Sequence, residues 1–248
     1  MEARSRPARF QTLSRSAGSR PAADPAPQRT SSLSTDALPL HYLAVDGPIG
    51  VGKTTLVEML ARRFEGVKVL EDVENPFLDK FYKDRPGGAF QTQLYFLLSR
   101  FKQQQEIVQR ELFNRLVVAD YPFQKDRIFA YLNLSDDELL IYDKLYAMLE
   151  PQIPTPDLVL YLVADVDTCL ARIKKRQRSF ERNISRTYLA ELIDAYNHYY
   201  HHYDRAPVLV VDTRDLNFPA RPDDFEELVA QLKKPLKGTH YYLSRVSR

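Results

Sequence analysis

Tryptophan is absent from the 248-residue chain, and cysteine occurs once, as Cys169. A single thiol excludes an internal disulfide framework and a cysteine-built zinc centre. It falls in Val166–Ile173, a stretch with helical apolar periodicity, which marks it as a small core residue rather than a reactive nucleophile. No apolar run approaches the roughly 18 residues that cross a bilayer, so no membrane partner is expected. Charge of either sign is scarcely in excess: 35 Lys and Arg stand against 33 Asp and Glu, a formal net charge of +2. Proteins built for phosphate backbones carry a large basic surplus, so nucleic acid is not an expected partner either. What remains is an ordinary globular composition, 44% hydrophobic and 27% charged, long enough for one sizeable core. A reducing compartment suits it, and a cytoplasmic location is expected.

Residues 1–38 differ from everything after them. Arg4, Arg6, Arg9, Arg15, Arg20 and Arg29 face only Glu2, Asp24 and Asp36, among many Ser, Pro and Ala. So few large apolar side chains cannot bury enough surface to offset ordering entropy, and the extension is expected to be disordered. An Arg- and Ser-rich, acid-poor start also fits an organelle transit peptide, which would change the compartment. An unstructured bacterial extension or a misplaced start codon are the alternatives. One folded domain is expected at 39–235, with a tail at 236–248.

Within that domain the pattern is alternating β and α. Apolar strands are expected at His41–Asp46, Val67–Glu71, Arg115–Asp120, Leu158–Val163 and Val208–Val211. Between them lie helical stretches at Lys53–Phe64, Phe90–Asn114, from Ser135 to Met148, from about Val166, at Arg186–Tyr203 and at Asp223–Lys233. Ser135 with Glu138 three residues on has the form of a capping box. Alternation of this kind predicts an α/β fold with a five-stranded parallel sheet flanked by helices.

Gly47-Pro48-Ile49-Gly50-Val51-Gly52-Lys53-Thr54 fits G-x-x-x-x-G-K-[ST] without a mismatch, between a strand and a helix. Glycines let the backbone close around phosphate oxygens, so that successive N–H groups form an anion nest ending on a helix N-terminus. Lys53 is expected to reach the β- and γ-phosphates, Thr54 to hold Mg2+ through its hydroxyl, and Thr55 to complete the cradle. This is the P-loop NTPase fold, and it predicts a bound nucleoside triphosphate. The motif is silent about what receives the phosphoryl group.

Acidic residues end the strands that follow: Glu71 and Asp72 after the second, Asp120 after the third. Ligands of open α/β sheets bind beyond the carboxyl ends of the strands, so these side chains are expected at the nucleotide. Glu71 then suits a proton acceptor, and Asp120 a second Mg2+ contact. The run from Arg172 to Glu181 holds Arg172, Arg176 and Arg178 and reads as a short basic lid over the transferring group. His198 and His202 in the tyrosine-rich stretch Tyr188–Tyr203 lack the glutamate of a H-E-x-x-H zinc site. Aromatic packing of a core or interface helix is expected there.

Taken together, these residues resemble the deoxynucleoside kinase family from about Tyr42 to Phe218. The resemblance implies ATP and Mg2+ as cofactors and a small-molecule deoxynucleoside as acceptor. It makes Glu71 the base for the 5'-hydroxyl, with Lys53, Asp120, Arg176 and Arg178 at the reacting group and Arg172 and Arg176 on the nucleotide. Tyr82, Gln93, Arg100, Asp126 and Glu181 match the family's nucleoside contacts in type and spacing, and the segment Asp212–Phe218 resembles the loop bordering the adenine of ATP. The pair Arg100 and Asp126 leans toward purine or deoxycytidine acceptors, and the family implies a homodimer. Two departures stand out. The third strand ends Asp120-Tyr121-Pro122, where the family places an arginine after the acid, and the family's tryptophan after the glutamate is missing. Two other readings share the phosphate loop. One is a nucleoside monophosphate kinase similar to thymidylate kinase, and the other a nucleotide-binding subunit without catalysis.

Overall fold

The computed structural model describes residues 37–72, 74–82, 87–111, 116–176 and 184–243. All but the last two residues of the expected N-terminal extension lie outside them. β1 (Tyr42–Asp46) runs through the middle of one parallel sheet with every residue buried. It pairs on one side with β3 (Val117–Ala119) and on the other with β4 (Leu158–Val163). Continuous apolar runs in these strands follow from helices covering both faces. β2 (Val67–Val69) lies outside β3, and β5 (Val208–Asp212) outside β4.

The sequence leads to five strands, and the sheet has six, in the order β2-β3-β1-β4-β5-β6. The added strand, β6 (Thr239–Tyr242), comes from the segment read as a tail and pairs with β5 from Val208↔Thr239 to Val211↔Tyr242. Thr239, His240 and Tyr241 are exposed, so this edge strand carries no apolar run to announce it. Its one buried side chain, Tyr242, donates its hydroxyl to Glu227 at 2.9 Å.

After β1 the chain builds β2 and β3 to one side, then crosses to build β4, β5 and β6 on the other. Such a reversal opens a crevice at the carboxyl end of the central strand. The phosphate loop leaves that end and runs into α1 (Lys53–Arg63), which buries Leu56, Val57, Leu60 and Ala61 against the sheet. A short α2 (Leu78–Tyr82) and the long α3 (Gly88–Glu111) follow β2. After β3 come α4 (Lys125–Asn133) and α5 (Asp136–Leu149), the latter opened by the expected capping box of Ser135 and Glu138. Leu97, Phe123, Ala130, Tyr142 and Tyr146 form a second apolar cluster that holds α3, α4 and α5 together beside the crevice.

The remaining helices are α6 (Val166–Arg176), α7 (Arg186–His201) and α8 (Pro222–Leu232). The tyrosines of α7 turn inward. Tyr200 stacks on Tyr161 of β4 with centroids 4.2 Å apart, and Tyr196 is wholly buried beside them. The core alternative for this helix is the one observed. Among the described residues no helix is long and apolar enough to cross a membrane.

Candidate active site

The phosphate loop is held by contacts that only glycine permits. Gly50 has φ +85°, and a Cβ there would lie 2.6 Å from the carbonyl oxygen of Cys169 on α6. Gly52, at φ +110°, meets nothing within 4 Å, so its open side is turned to the crevice. Asp46 fixes the loop's entry by accepting from the Gly47 N–H at 2.8 Å, and Tyr200 donates to its other oxygen at 2.6 Å. Lys53 folds over the loop, donating to the carbonyls of Gly47 and Pro48 at 2.7 and 3.0 Å. Burial, and next the Lys125 ammonium, push its pKa down to about 8, against the pull of Asp46, Glu71 and Asp120.

Residues far apart in sequence converge on one cavity of about 190 Å³. Its wall joins Gly50, Gly52, Lys53 and Thr54 at the loop to Glu71, Gln93, Arg100 and Lys125. Glu71 stands two residues beyond the end of β2, outside the strand that the sequence extends to it. Its Oε1 accepts from Arg100 Nε at 3.2 Å and its Oε2 from Lys125 Nζ at 2.6 Å. Burial alone would raise the Glu71 carboxyl, but Lys125 and Arg100 more than reverse it and hold the group well below the usual carboxylate range. Arg100 also pairs with Asp126, which is fully buried and accepts from the Tyr142 hydroxyl. Gln93 reaches the same corner, its Nε2 donating to the Asp126 backbone oxygen at 3.4 Å. Glu71, Gln93, Arg100 and Asp126, far apart in the sequence, are thus one connected group. Tyr82 closes α2, with its side chain outside the described residues.

On the other side of the loop lies a wider cleft of about 870 Å³, bordered by Thr55, Lys175, Arg176 and the segment 213–219. Gly50, Gly52, Thr54 and Arg176 line both spaces. Arg172 is expected in the lid. In the structure its guanidinium donates to Val51 O at 2.8 Å, Thr213 Oγ1 at 2.9 Å and Thr213 O at 2.7 Å. It acts as a strut tying the phosphate loop to the start of the 213–219 segment. Arg176 ends α6, exposed and facing both spaces, whereas Arg178 and Glu181 lie outside the described residues. Ile49 lines the inner cavity and Val51 is buried. Pro48 borders a separate cleft beside Tyr161 and Tyr200.

Oxygen donors suited to a hard cation meet where the two spaces join. Thr54 Oγ1 donates to Asp120 Oδ2 at 3.1 Å, while Asp120 Oδ1 accepts from the Glu71 N–H at 2.6 Å. Burial, followed by the nearby Glu71 charge, raises the Asp120 pKa, a strain that a bound dication relieves. Among the described residues no three His, Cys, Asp or Glu side chains gather around one point. Thr54 and Asp120 are the kind of one or two oxygen side chains with which proteins usually hold Mg2+.

Two members of this site escape sequence reasoning. Lys125 sits in a stretch whose buried residues, Lys125 and Asp126, are charged, so α4 shows no apolar stripe at its start. Asp46 ends β1 as an unremarkable acid, and its position just before the first glycine was the available signal.

The family model of deoxynucleoside kinases matches residues 43–237. A deoxyguanosine kinase of Bacillus subtilis (strain 168) is 38% identical over 199 residues, covering 78% of this chain and 96% of that protein. A deoxyadenosine/deoxycytidine kinase of the same organism is 32% identical over 198 residues, covering 77% and 90%. Among solved structures, the deoxyadenosine kinase from M. mycoides with bound dATP shows a TM-score of 0.67 at 28% identity, covering 78% of this chain and 100% of that one. The P-loop, the charge-lined cavity beside it and these matches agree, and the chain belongs to the deoxynucleoside kinase family, enzymes that phosphorylate deoxynucleosides.

Proposed function

We propose that the chain transfers the terminal phosphoryl group of ATP, in the presence of Mg2+, to the 5'-hydroxyl of a deoxyribonucleoside, preferring a purine or deoxycytidine. The observation that carries this reading is a single cavity whose wall includes both the phosphate loop and the Glu71–Gln93–Arg100 group. Glu71 takes the hydroxyl proton. A carboxylate held so far down in pKa is ionised at neutral pH and is a weak base. That suits phosphoryl transfer through a loose transition state, in which the proton leaves late and positioning supplies most of the rate. Thr54 and Asp120 would hold Mg2+, which would supply positive charge to neutralise the phosphates. Lys53 binds the β- and γ-phosphates, Arg176 and Arg178 close over the transferring group, and Arg172 and the 213–219 segment shape the nucleotide side.

Gln93 offers an amide donor and acceptor to a base edge, with Arg100 and Asp126 fixing its surroundings. Relatives named for deoxyguanosine, deoxyadenosine and deoxycytidine support the base preference. A phosphate acceptor fits less well, since Glu71 would repel it and an ionised monoester needs no base. A coupled assay with ATP and each of the four deoxynucleosides, with thymidine monophosphate as control, tests the assignment. Glu71→Gln should lower kcat by about 10³ while ATP binding persists. Turnover of thymidine monophosphate at a comparable rate, or an unimpaired Glu71→Gln, overturns it.

The working form is a homodimer in the cytoplasm. Leu98 on α3 and Leu140, Ile141 and Met148 on α5 are 56%, 60%, 51% and 69% exposed, on helices that pack together. A second copy of this face would cover them. Sedimentation equilibrium should give twice the chain mass, and Met148→Glu should shift it toward one.

A further inference from the structure

The acceptor cavity contains a cation that the motif-based reading does not use. Lys125 opens α4 with its side chain only 5% exposed; its ammonium donates to Glu71 Oε2 at 2.6 Å and lies 5.7 Å from the centroid of the Phe129 ring. An ammonium carries three donors, and the cavity that Lys125 lines also has Lys53 and Thr54 on its wall. Two ammonium groups on the wall of one cavity attract an anion that enters it. Position 121 offers no alternative cation, for the buried Tyr121 turns its hydroxyl to Gln103 Oε1 at 2.6 Å.

We propose that Lys125 binds the transferring phosphoryl group from the acceptor side, opposite Lys53, and so acts as a second transition-state cation in this enzyme. The inference rests on the reading of Glu71 as the proton acceptor. A 5'-oxygen hydrogen-bonded to Glu71 Oε2 lies within about 5.4 Å of Lys125 Nζ, the sum of the observed 2.6 Å and one further hydrogen bond. As the bond from the γ-phosphorus to the bridging oxygen of ATP breaks, the 5'-oxygen–phosphorus bond forms. The hydroxyl proton passes to Glu71, and the bridging oxygen leaves with its electron pair as ADP. Lys125 transfers no proton. It lies beside the equatorial oxygens as their charge spreads, and it replaces on the substrate the contact it holds on Glu71 at rest. A lysine suits this exchange, because its compact charge on a flexible stem can move between two oxygens.

A purely structural role, as counter-ion to Glu71, makes different predictions. Lys125→Met should lower kcat by about 10²–10³. KM for ATP and for the deoxynucleoside should stay within about threefold, because the lost contact is made in the transition state. Lys125→Arg should recover most of kcat. A Lys125→Met enzyme with full kcat, or one whose loss lies wholly in KM, overturns the proposal. Glu71→Gln is measured beside it. If Glu71→Gln is inactive and Lys125→Met is not, only the role of Lys125 falls. If Glu71→Gln turns over normally, the proton acceptor is misassigned and Lys125 falls with it. Should Lys125→Met lose its cooperative unfolding transition, the double variant Lys125→Met/Glu71→Gln removes the stranded charge. Binding of ADP with aluminium fluoride and deoxynucleoside, against Glu71→Gln alone, then replaces turnover as the measurement. A loss confined to the fluoride complex supports the proposal, and equal affinity of the two variants for it overturns the proposal.

Discussion

The two spaces that meet at the phosphate loop are built on opposite principles. The donor side is made of backbone: glycines in left-handed conformations, a helix N-terminus, and carbonyls tied together by Arg172, with its charged side chains near the surface. The acceptor side is made of charge taken out of water, with Glu71, Arg100, Lys125 and Asp126 each satisfied mainly by the others. A triphosphate brings its own charge and needs only N–H groups and a few cations to receive it. A neutral nucleoside brings none, so the protein must supply both signs and hold them paired with each other. The acceptor side should therefore be sensitive to the removal of one charge, and the donor side to the addition of one carbon.

Arg100→Met should give the largest stability effect. It strands Asp126, which is fully buried, and removes one of the two cations on Glu71. Breaking a buried pair by deleting one partner costs about 3–5 kcal/mol, because the other charge is left uncompensated. Urea unfolding measures this directly. Truncating the exposed Arg176, which faces both spaces, should change unfolding by no more than about 0.5 kcal/mol. A loss below about 1 kcal/mol for Arg100→Met would mean that water reaches the acceptor cavity freely, and the contrast between the two sides would be lost.

Gly50→Ala tests the donor side with a single methyl. At φ +85° a Cβ costs about 1 kcal/mol in backbone strain alone. Here it also meets Cys169 O at 2.6 Å and Ile173 Cγ1 at 2.8 Å, so the loop must move. KM for ATP should rise about tenfold or more while KM for the deoxynucleoside holds, since none of the acceptor charges touches that carbon. Gly52→Ala shares the strain but meets nothing, and its effect should be smaller. Equal effects of the two would show that conformation, and not the packing of α6, shapes the loop.

The same contrast explains what could be read from the sequence. A backbone-built site is local, so eight consecutive residues announce it, and the fold around it follows from apolar strands buried on both faces. A charge-built site is assembled from β2, α3 and α4, and only the final packing shows that Glu71, Arg100 and Asp126 touch. Lys125 carried no signal at all. Buried as a charge beside its counter-ion, it leaves the hydrophobic pattern silent over the start of α4. β6 was missed for a related reason, since an edge strand with three exposed residues has no apolar face to display.

Arg172 lies where the two ways of reading disagree, and its expected effect is the smallest of the three. Sequence spacing makes it a lid arginine, acting on charge as the phosphoryl group moves. The structure commits its donors to Val51 O, Thr213 Oγ1 and Thr213 O, which makes it a brace for the nucleotide cleft. A brace acts equally in ground and transition state. Arg172→Met should then raise KM for ATP by about tenfold, roughly 1.4 kcal/mol, and leave kcat and the deoxynucleoside KM nearly unchanged. A lid arginine predicts the reverse, a fall in kcat at unchanged KM. Steady-state kinetics with each substrate varied in turn separates the two. A loss confined to kcat would show that Arg172 leaves its carbonyls when substrates bind, and that the donor side, too, works through charge.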